Sequence, residues 1–317
     1  MWIFDKRINL KPYEYPELSS YIDAMRNSYW IHTEFNFTSD IQDFKTALTD
    51  NERQVIKRTL LAIAQIEVDV KSFWKNLANH LPKPELDAVG VSFAESEIRH
   101  ADAYSHLLEI LGFNEEFETI DSIPAIIDRI KYLEKSKKGS FVKALILFSL
   151  FVEHVSLFSQ FLIVMSFNKH KNVLKGTSNV IEATSKEENL HGMFGMDLIN
   201  IIREEQPELF TRELKSEVYE LAQKALTAEV KILDWMFEDW ELEFLPKHEI
   251  ITFIQDRFNK GLEGVGYSPL FYVDQEALEK NEWFDDELNA TKHWDFFVKK
   301  SVNYNKKNKS ITEDDLF

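Results

Sequence analysis

Residues 144–167, ALILFSLFVEHVSLFSQFLIVMSF, constrain the fold of this chain more than any other stretch. As a helix the run is long enough to cross a bilayer. Glu153 and His154 sit at its centre, however, and charge there is costly in lipid. A helix that is apolar all round is otherwise stable only when other helices cover it on every side. The sequence therefore predicts a central buried helix in a soluble all-α bundle, with Glu153 held inside for a chemical reason. A chain of 317 residues can bury such a core. Only 9 Gly and 8 Pro interrupt it, which suits long helices.

Two short motifs supply the reason. AESEIRHADAY at 94–104 and SKEENLH at 185–191 each contain Glu-x-x-His, Glu97 with His100 and Glu188 with His191. Residues three apart share a helix face, so each pair can offer a carboxylate oxygen and an imidazole nitrogen to one point in space. Solvated side-chain pairs would give the same spacing, but here each motif follows an apolar helix that carries a carboxylate. Glu67 precedes Glu97 by 30 residues (97 − 67) and Glu153 precedes Glu188 by 35 (188 − 153). Each gap holds the rest of one helix, a turn and part of the next, as an antiparallel pair requires. Asp69 is a weaker candidate than Glu67, because two residues further round the helix it faces elsewhere. Four carboxylates and two imidazoles, in a chain without cysteine, suit iron or manganese better than copper or structural zinc. The pattern of a carboxylate helix followed by a Glu-x-x-His helix, twice over, resembles the ferritin-like dinuclear carboxylate bundles.

The remaining elements follow from caps and periodicity. Residues 1–48 read as irregular apart from a short helix near 16–28. Thr49 and Glu52 form a capping box, opening a long helix closed by Pro82. The next helix opens at PKPELDAV and stops at Gly112, a C-cap. An amphipathic helix is expected from Asp121 to about Lys137, a break at GTSN (176–179), and a further helix pair from Pro207 to about 262, with Trp235 and Trp240 as packing residues. Residues 1–289 then form one helical domain. From 290 onward TKHWDFFVKKSVNYNKKNKSITEDDLF turns polar and then acidic, and 290–317 reads as a flexible tail that cannot bury enough apolar surface to fold alone.

Charge and composition exclude several functions. The net charge of −17 argues against nucleic acid or an anionic membrane as the main partner. Without cysteine, disulfides, thiolate metal sites and thiol chemistry are all excluded. The opening MWIFDKRINL has neither an apolar signal core nor a transit-like composition, so a cytoplasmic location is the expectation.

Over nearly its whole length the chain resembles the small, radical-generating subunit of class I ribonucleotide reductase. The resemblance implies that Glu67, Glu97 and His100 complete one metal site and that Glu153, Glu188 and His191 supply the other. It places Tyr104 at the radical tyrosine, Trp30 at the start of the radical-transfer route, and Glu187 at the acidic residue that hydrogen-bonds that tryptophan. Tyr304 resembles the tail tyrosine that passes the radical between subunits, and ITEDDLF the acidic, Phe-ended tail that docks on the large (alpha) subunit. A homodimer joined to that ribonucleotide-binding subunit is implied. Glu67 and Glu187 both stand where aspartate is more usual, which leaves the metals open: two manganese are favoured here, with manganese/iron or two iron as alternatives. Lys71, four residues from Glu67 on the same face, could draw an anionic oxidant to the metals. That resembles the dimanganese subgroup, which superoxide rather than dioxygen activates. The absence of cysteine fits this division of labour, since ribonucleotide reduction needs thiols that this chain lacks. A stand-alone dimetal oxidase or hydroxylase, or a ferritin-like iron store, would use the same six ligands but would need neither Trp30, Tyr304 nor the tail.

Overall fold

A computed structural model describes residues 2–136 and 139–289, without the side chains of 68–71, 132–133, 135–136 and 289. Among the described residues there are helices and no strand, only an isolated bridge between Leu242 and Leu245. The first long helix, following α1 (Pro16–Ser28) and α2 (Thr38–Thr46), is α3 (Asp50–Lys75). It opens as the capping box requires: Glu52 N donates to Thr49 Oγ1 and Thr49 N to Glu52 Oε2 at 2.8 Å. It ends seven residues before Pro82 (82 − 75), because Asn76 Nδ2 donates to the Ser72 carbonyl and a 3₁₀ turn, Leu77–Asn79, follows. α4 (Pro84–Leu111) stops at Gly112, whose φ of +80° is the left-handed cap expected. The short connection makes α3 and α4 antiparallel neighbours, and they pack along most of their length. α5 (Pro124–Ser136) is the amphipathic helix read from 121 onward.

The apolar run lies in α6 (Phe141–Lys171), and 89% of its most apolar window is covered by the rest of the protein. Its surface is spent inside the bundle. From Phe148 to Ser156 the helix widens to π geometry, and Glu153 lies within this segment. Such wide turns are rare and frequently lie at functional sites. Two buried arginines take up backbone carbonyls there. Arg129 of α5 donates to Ser156 O at 3.2 Å, as well as to Ala62 O, Gln160 Oε1 and Glu229 Oε2. Arg257 Nε donates to His154 O at 2.6 Å.

The expected break at 176–179 falls instead at Asn172 and Leu174, both with φ of +55°, and GTSN belongs to α7 (Lys175–Glu205). The cause is tertiary. Asp40 of α2 accepts from the backbone N–H groups of Gly176 (3.0 Å) and Thr177 (2.5 Å), capping α7 from outside. Gly176 is needed for close approach, since a Cβ there would lie 2.4 Å from Asn36 O. α8 (Arg212–Phe237) and α9 (Lys247–Gly264) form the expected later pair, and Trp235 and Trp240 pack half-buried against the core. Two short helices, α10 (Gln275–Glu279) and α11 (Glu282–Asn289), close the described chain.

The crossing of α6 and α7 leaves no spare volume. A Cβ at Gly195 would sit 2.2 Å from Ser149 Oγ and 2.3 Å from Ser149 Cβ. Gly195→Ala should therefore lower stability by about 1–3 kcal/mol, and thermal unfolding of the purified variant would check it. An unchanged melting temperature would mean that the π segment can shift freely.

Candidate metal centre

Six side chains from four helices meet in the core, all of them fully buried: Glu67 on α3, Glu97 and His100 on α4, Glu153 on α6, and Glu188 and His191 on α7. They form two groups of four. Glu67, Glu97, His100 and Glu188 make one, and Glu97, Glu153, Glu188 and His191 the other, the potential ligand atoms of each lying within 4.8 Å of one another. Glu97 and Glu188 belong to both groups. The Oε1 of Glu188 lies 2.9 Å from His100 Nδ1 and its Oε2 lies 3.2 Å from His191 Nδ1. Glu97 faces the same two nitrogens, with Oε2 at 3.6 Å and Oε1 at 3.1 Å. The two shared carboxylates lie between the imidazoles, so this set could hold two ions, with Glu67 and His100 on one side and Glu153 and His191 on the other. The resemblance implies one site each for Glu97 and Glu188, whereas here each belongs to both groups.

Hydrogen bonds behind the cluster aim the imidazoles. His100 Nε2 donates to Glu187 Oε2 at 2.8 Å, which leaves Nδ1 facing the cavity. Ser96 Oγ donates to Phe93 O at 2.7 Å and lies 3.1 Å from His191 Nε2, so it can accept that ring's N–H and again leave Nδ1 facing inward. Partners of this kind fix the tautomer and orientation of metal-binding histidines. Trp74 Nε1 donates to Glu153 Oε1 at 2.7 Å and holds that carboxylate in the same way.

Glu187 differs from the expectation. Its carboxylate takes no hydrogen from Trp30. It accepts instead from His100, from Arg99 through Nη1 (3.2 Å) and Nη2 (3.1 Å), and from Ser28 Oγ. Arg99 also donates to the Trp30 carbonyl at 3.0 Å and lies 4.5 Å from the Tyr29 ring centre. With Arg99 occupying the carboxylate, Trp30 meets the cluster by its face. Its indole lies 5.7 Å from the His100 ring at an interplanar angle of 15°.

Electrostatics test whether this cluster suits metal ions. Within the protein, both oxygens of Glu67 and of Glu97, Oε2 of Glu153, Oε1 of Glu188 and Nδ1 of His100 are buried without a hydrogen-bond partner. Buried acceptors and charges left so are destabilising, and hard divalent cations are what an oxygen-rich set with two imidazoles satisfies. Burial pushes Glu67 up to about 8 against the pull of His100. Burial, with the charge of Glu188, raises Glu153 well above the usual carboxylate range. Burial would raise Glu188 too, but His191 and His100 outweigh it and hold this carboxyl low. Burial opposes charge on the two histidines, yet Glu187 holds His100 and Glu188 holds His191 well above the ordinary value.

The metal-free cluster at neutral pH thus holds protons on the carboxyls of Glu67 and Glu153 and on both imidazoles, which bound cations must displace. The metal-free state binds more protons than the loaded state, so affinity rises with pH. Manganese affinity should increase at least about tenfold per pH unit between about pH 6 and the Glu67 value of about 8. Competition titrations with a calibrated chelator would measure this, and a flat profile would contradict the proton inventory.

Tyr104, one turn beyond His100, is 1% exposed. Burial and the charge of Glu67 raise its phenol well above the ordinary range, with Thr184 its polar neighbour. The side chains of Lys71 and Asp69, and all of Tyr304 and the 290–317 tail, lie outside the described residues. Arg99, Trp74 and Ser96 were missed by sequence reasoning. Arg99 alone left a signal, as a cation beside a ligand histidine on a buried helix.

Fold and cluster together define a ferritin-like helical bundle whose core could hold two metal ions. The family model described as ribonucleotide reductase, small chain, matches residues 7–292. The chain belongs to that family, a family of oxidoreductase subunits. A probable ribonucleoside-diphosphate reductase small subunit of Invertebrate iridescent virus 3 is 26% identical, covering 95% of this chain and 85% of its own. The beta subunit of Chlamydia pneumoniae is 23% identical, covering 90% and 86%. Among solved structures, the dimanganese(II)-NrdF of Streptococcus sanguinis superposes with a TM-score of 0.78 at 19% identity, covering 88% of this chain and 99% of that one. The R2 subunit of Clostridium botulinum gives 0.77 at 20%, covering 87% and 89%. These structures share the fold.

Proposed function

We propose that this chain is the radical-generating small subunit of a ribonucleoside-diphosphate reductase. It stores a one-electron oxidant at its dimetal centre and delivers it over distance to a separate large subunit that reduces ribonucleotides. The observation that carries the reading is the near-parallel contact of Trp30 with His100, 5.7 Å between ring centres. It joins an easily oxidised side chain to a ligand of the centre.

In this reading Glu67, Glu97, His100, Glu153, Glu188 and His191 hold the two ions, which supply the oxidising equivalent. Glu187, fixed by Arg99, keeps His100 in the tautomer whose Nδ1 faces inward. Trp30 takes part through its ring face, and Tyr104 keeps its proton until oxidised. The 290–317 tail, with Tyr304 and ITEDDLF, docks on the large subunit, and residues 1–289 form the metal-binding domain of a cytoplasmic homodimer. Two manganese ions are favoured over manganese/iron or two iron, with superoxide as activator and the charge of Lys71 drawing it in.

The test is elemental analysis of protein from its native host, with an EPR spectrum of the active form and an assay with and without the large subunit. Manganese alone, an exchange-coupled manganese signal and nucleotide reduction only with the large subunit are the expected results. Iron with a tyrosyl signal would make Tyr104 the radical carrier and dioxygen the activator. Full oxidase activity without a large subunit would overturn the reading. Lys71→Met should slow activation without removing metal, and unchanged activation would remove superoxide attraction from the account.

A further inference from the structure

The residue after the ligand Glu153 is held from outside its own helix by one side chain. Arg257 of α9, 3% exposed, donates from Nε to the His154 carbonyl at 2.6 Å, and its Nη2 lies 3.2 Å from His154 Nδ1. A single guanidinium thus grips both the backbone and the ring of His154. Two glycines flank its ring. A Cβ at Gly192 on α7 would touch its Nδ1 at 3.6 Å, and one at Gly261 on α9 would touch its Cδ2 at 3.3 Å.

The same guanidinium reaches α11. Its centre lies 3.5 Å from the Phe158 ring centre, and Nη1 donates to Asp285 Oδ1 at 3.4 Å. The other oxygen of Asp285 accepts from Lys260 at 3.0 Å. The neighbouring Phe284 is fully buried and packs edge-on against Phe158 and Phe253, with centroids at 6.2 and 5.4 Å. A planar fork with several donors suits a joint of this kind, because it can hold a carbonyl and a carboxylate at once in fixed relative position.

We propose that Arg257 is a positioning residue for Glu153, coupling the placement of α11, the last described helix before residue 290, to the metal centre through the π segment. Residues 148–156 leave the α-helical hydrogen-bond ladder of α6, so their register depends on what else holds their carbonyls. Arg257 holds the one next to the ligand. A change in the seating of α11 is felt at Asp285, then at Arg257, then at the His154 carbonyl, one residue from Glu153. The proposal rests on Glu153 being a metal ligand.

The experiment is a manganese(II) titration of the metal-free chain, read by the EPR signal of the free ion, with amide hydrogen exchange of the 148–156 peptide. The unaltered chain should take up two ions. Arg257→Met should weaken one of the two at least about tenfold, as loss of an outer-shell partner does, with faster exchange confined to 148–156 and 282–289. Arg257→Lys keeps the charge, but one ammonium cannot hold both His154 O and Asp285, so it should fall between. Asp285→Asn, at a side chain 30% exposed, should act in the same direction by a smaller factor. It decides the question even if Arg257→Met fails to fold. A folded Arg257→Met chain that binds both ions unchanged would overturn the proposal. So would equal weakening of both ions with faster exchange throughout, or Asp285→Asn leaving exchange at 148–156 unaltered. If the unaltered chain does not take up two ions, the metal reading itself falls, and the proposal with it.

Discussion

A Glu188→Gln chain should retain one manganese ion where the unaltered chain takes up two. Glu188 places an oxygen 2.9 Å from His100 Nδ1 and the other 3.2 Å from His191 Nδ1, so it serves both halves of the cluster. The amide keeps the volume but offers one neutral acceptor, and its NH₂ turns a donor toward a cation. The site also loses one of the four negative charges that balance two dications. Affinity for the second ion should fall by more than about 100-fold, beyond what an outer-shell change produces. Metal content after gel filtration and circular dichroism of the same sample would separate lost binding from lost folding. Two ions bound at unaltered affinity would remove Glu188 from the shared position.

Trp30→Phe should leave the metal content intact and reduce nucleotide reduction with the large subunit by about 100-fold or more, equivalent to about 2.7 kcal/mol of barrier. Phenylalanine keeps an aromatic face against His100 and Phe35, which the indole meets at 5.7 and 5.5 Å, but a benzene ring is much harder to oxidise than an indole. The site is buried and the smaller ring leaves space behind, so a stability cost of about 1–3 kcal/mol is expected. The pairing of normal metal content with lost activity is the diagnostic result. A Trp30→Phe chain with full activity would mean that the oxidant leaves by another route.

Much of this architecture could be read from local signals. Thr49 with Glu52, Gly112 and the apolar run at 144–167 each act within a few residues, and each sits in the structure as the spacing implies. Both Glu-x-x-His pairs point into one cluster because helical periodicity fixes their faces. The rest depends on partners distant in sequence. The start of α7 is set by Asp40, 136 residues before Gly176. The partner of Glu187 is set by Arg99, 88 residues away, which displaces the expected tryptophan contact. No periodicity announces a π segment, since it lies inside one continuous apolar helix. That Glu97 and Glu188 belong to both groups of four likewise becomes visible only when two helices face each other.

That shared arrangement bears on how the centre is filled during synthesis. A ribosome that has released the chain through His100 has produced Glu67, Glu97 and His100, half of the donors, and both groups of four need Glu188. Neither ion position can be completed until the second half of the chain has emerged and docked on the first. Any choice of metal would thereby be deferred to the finished bundle, in which all six donors stand together. A nascent chain with a complete early site would instead take whichever divalent ion binds nitrogen and oxygen most tightly, and on raw affinity that is copper, not manganese or iron.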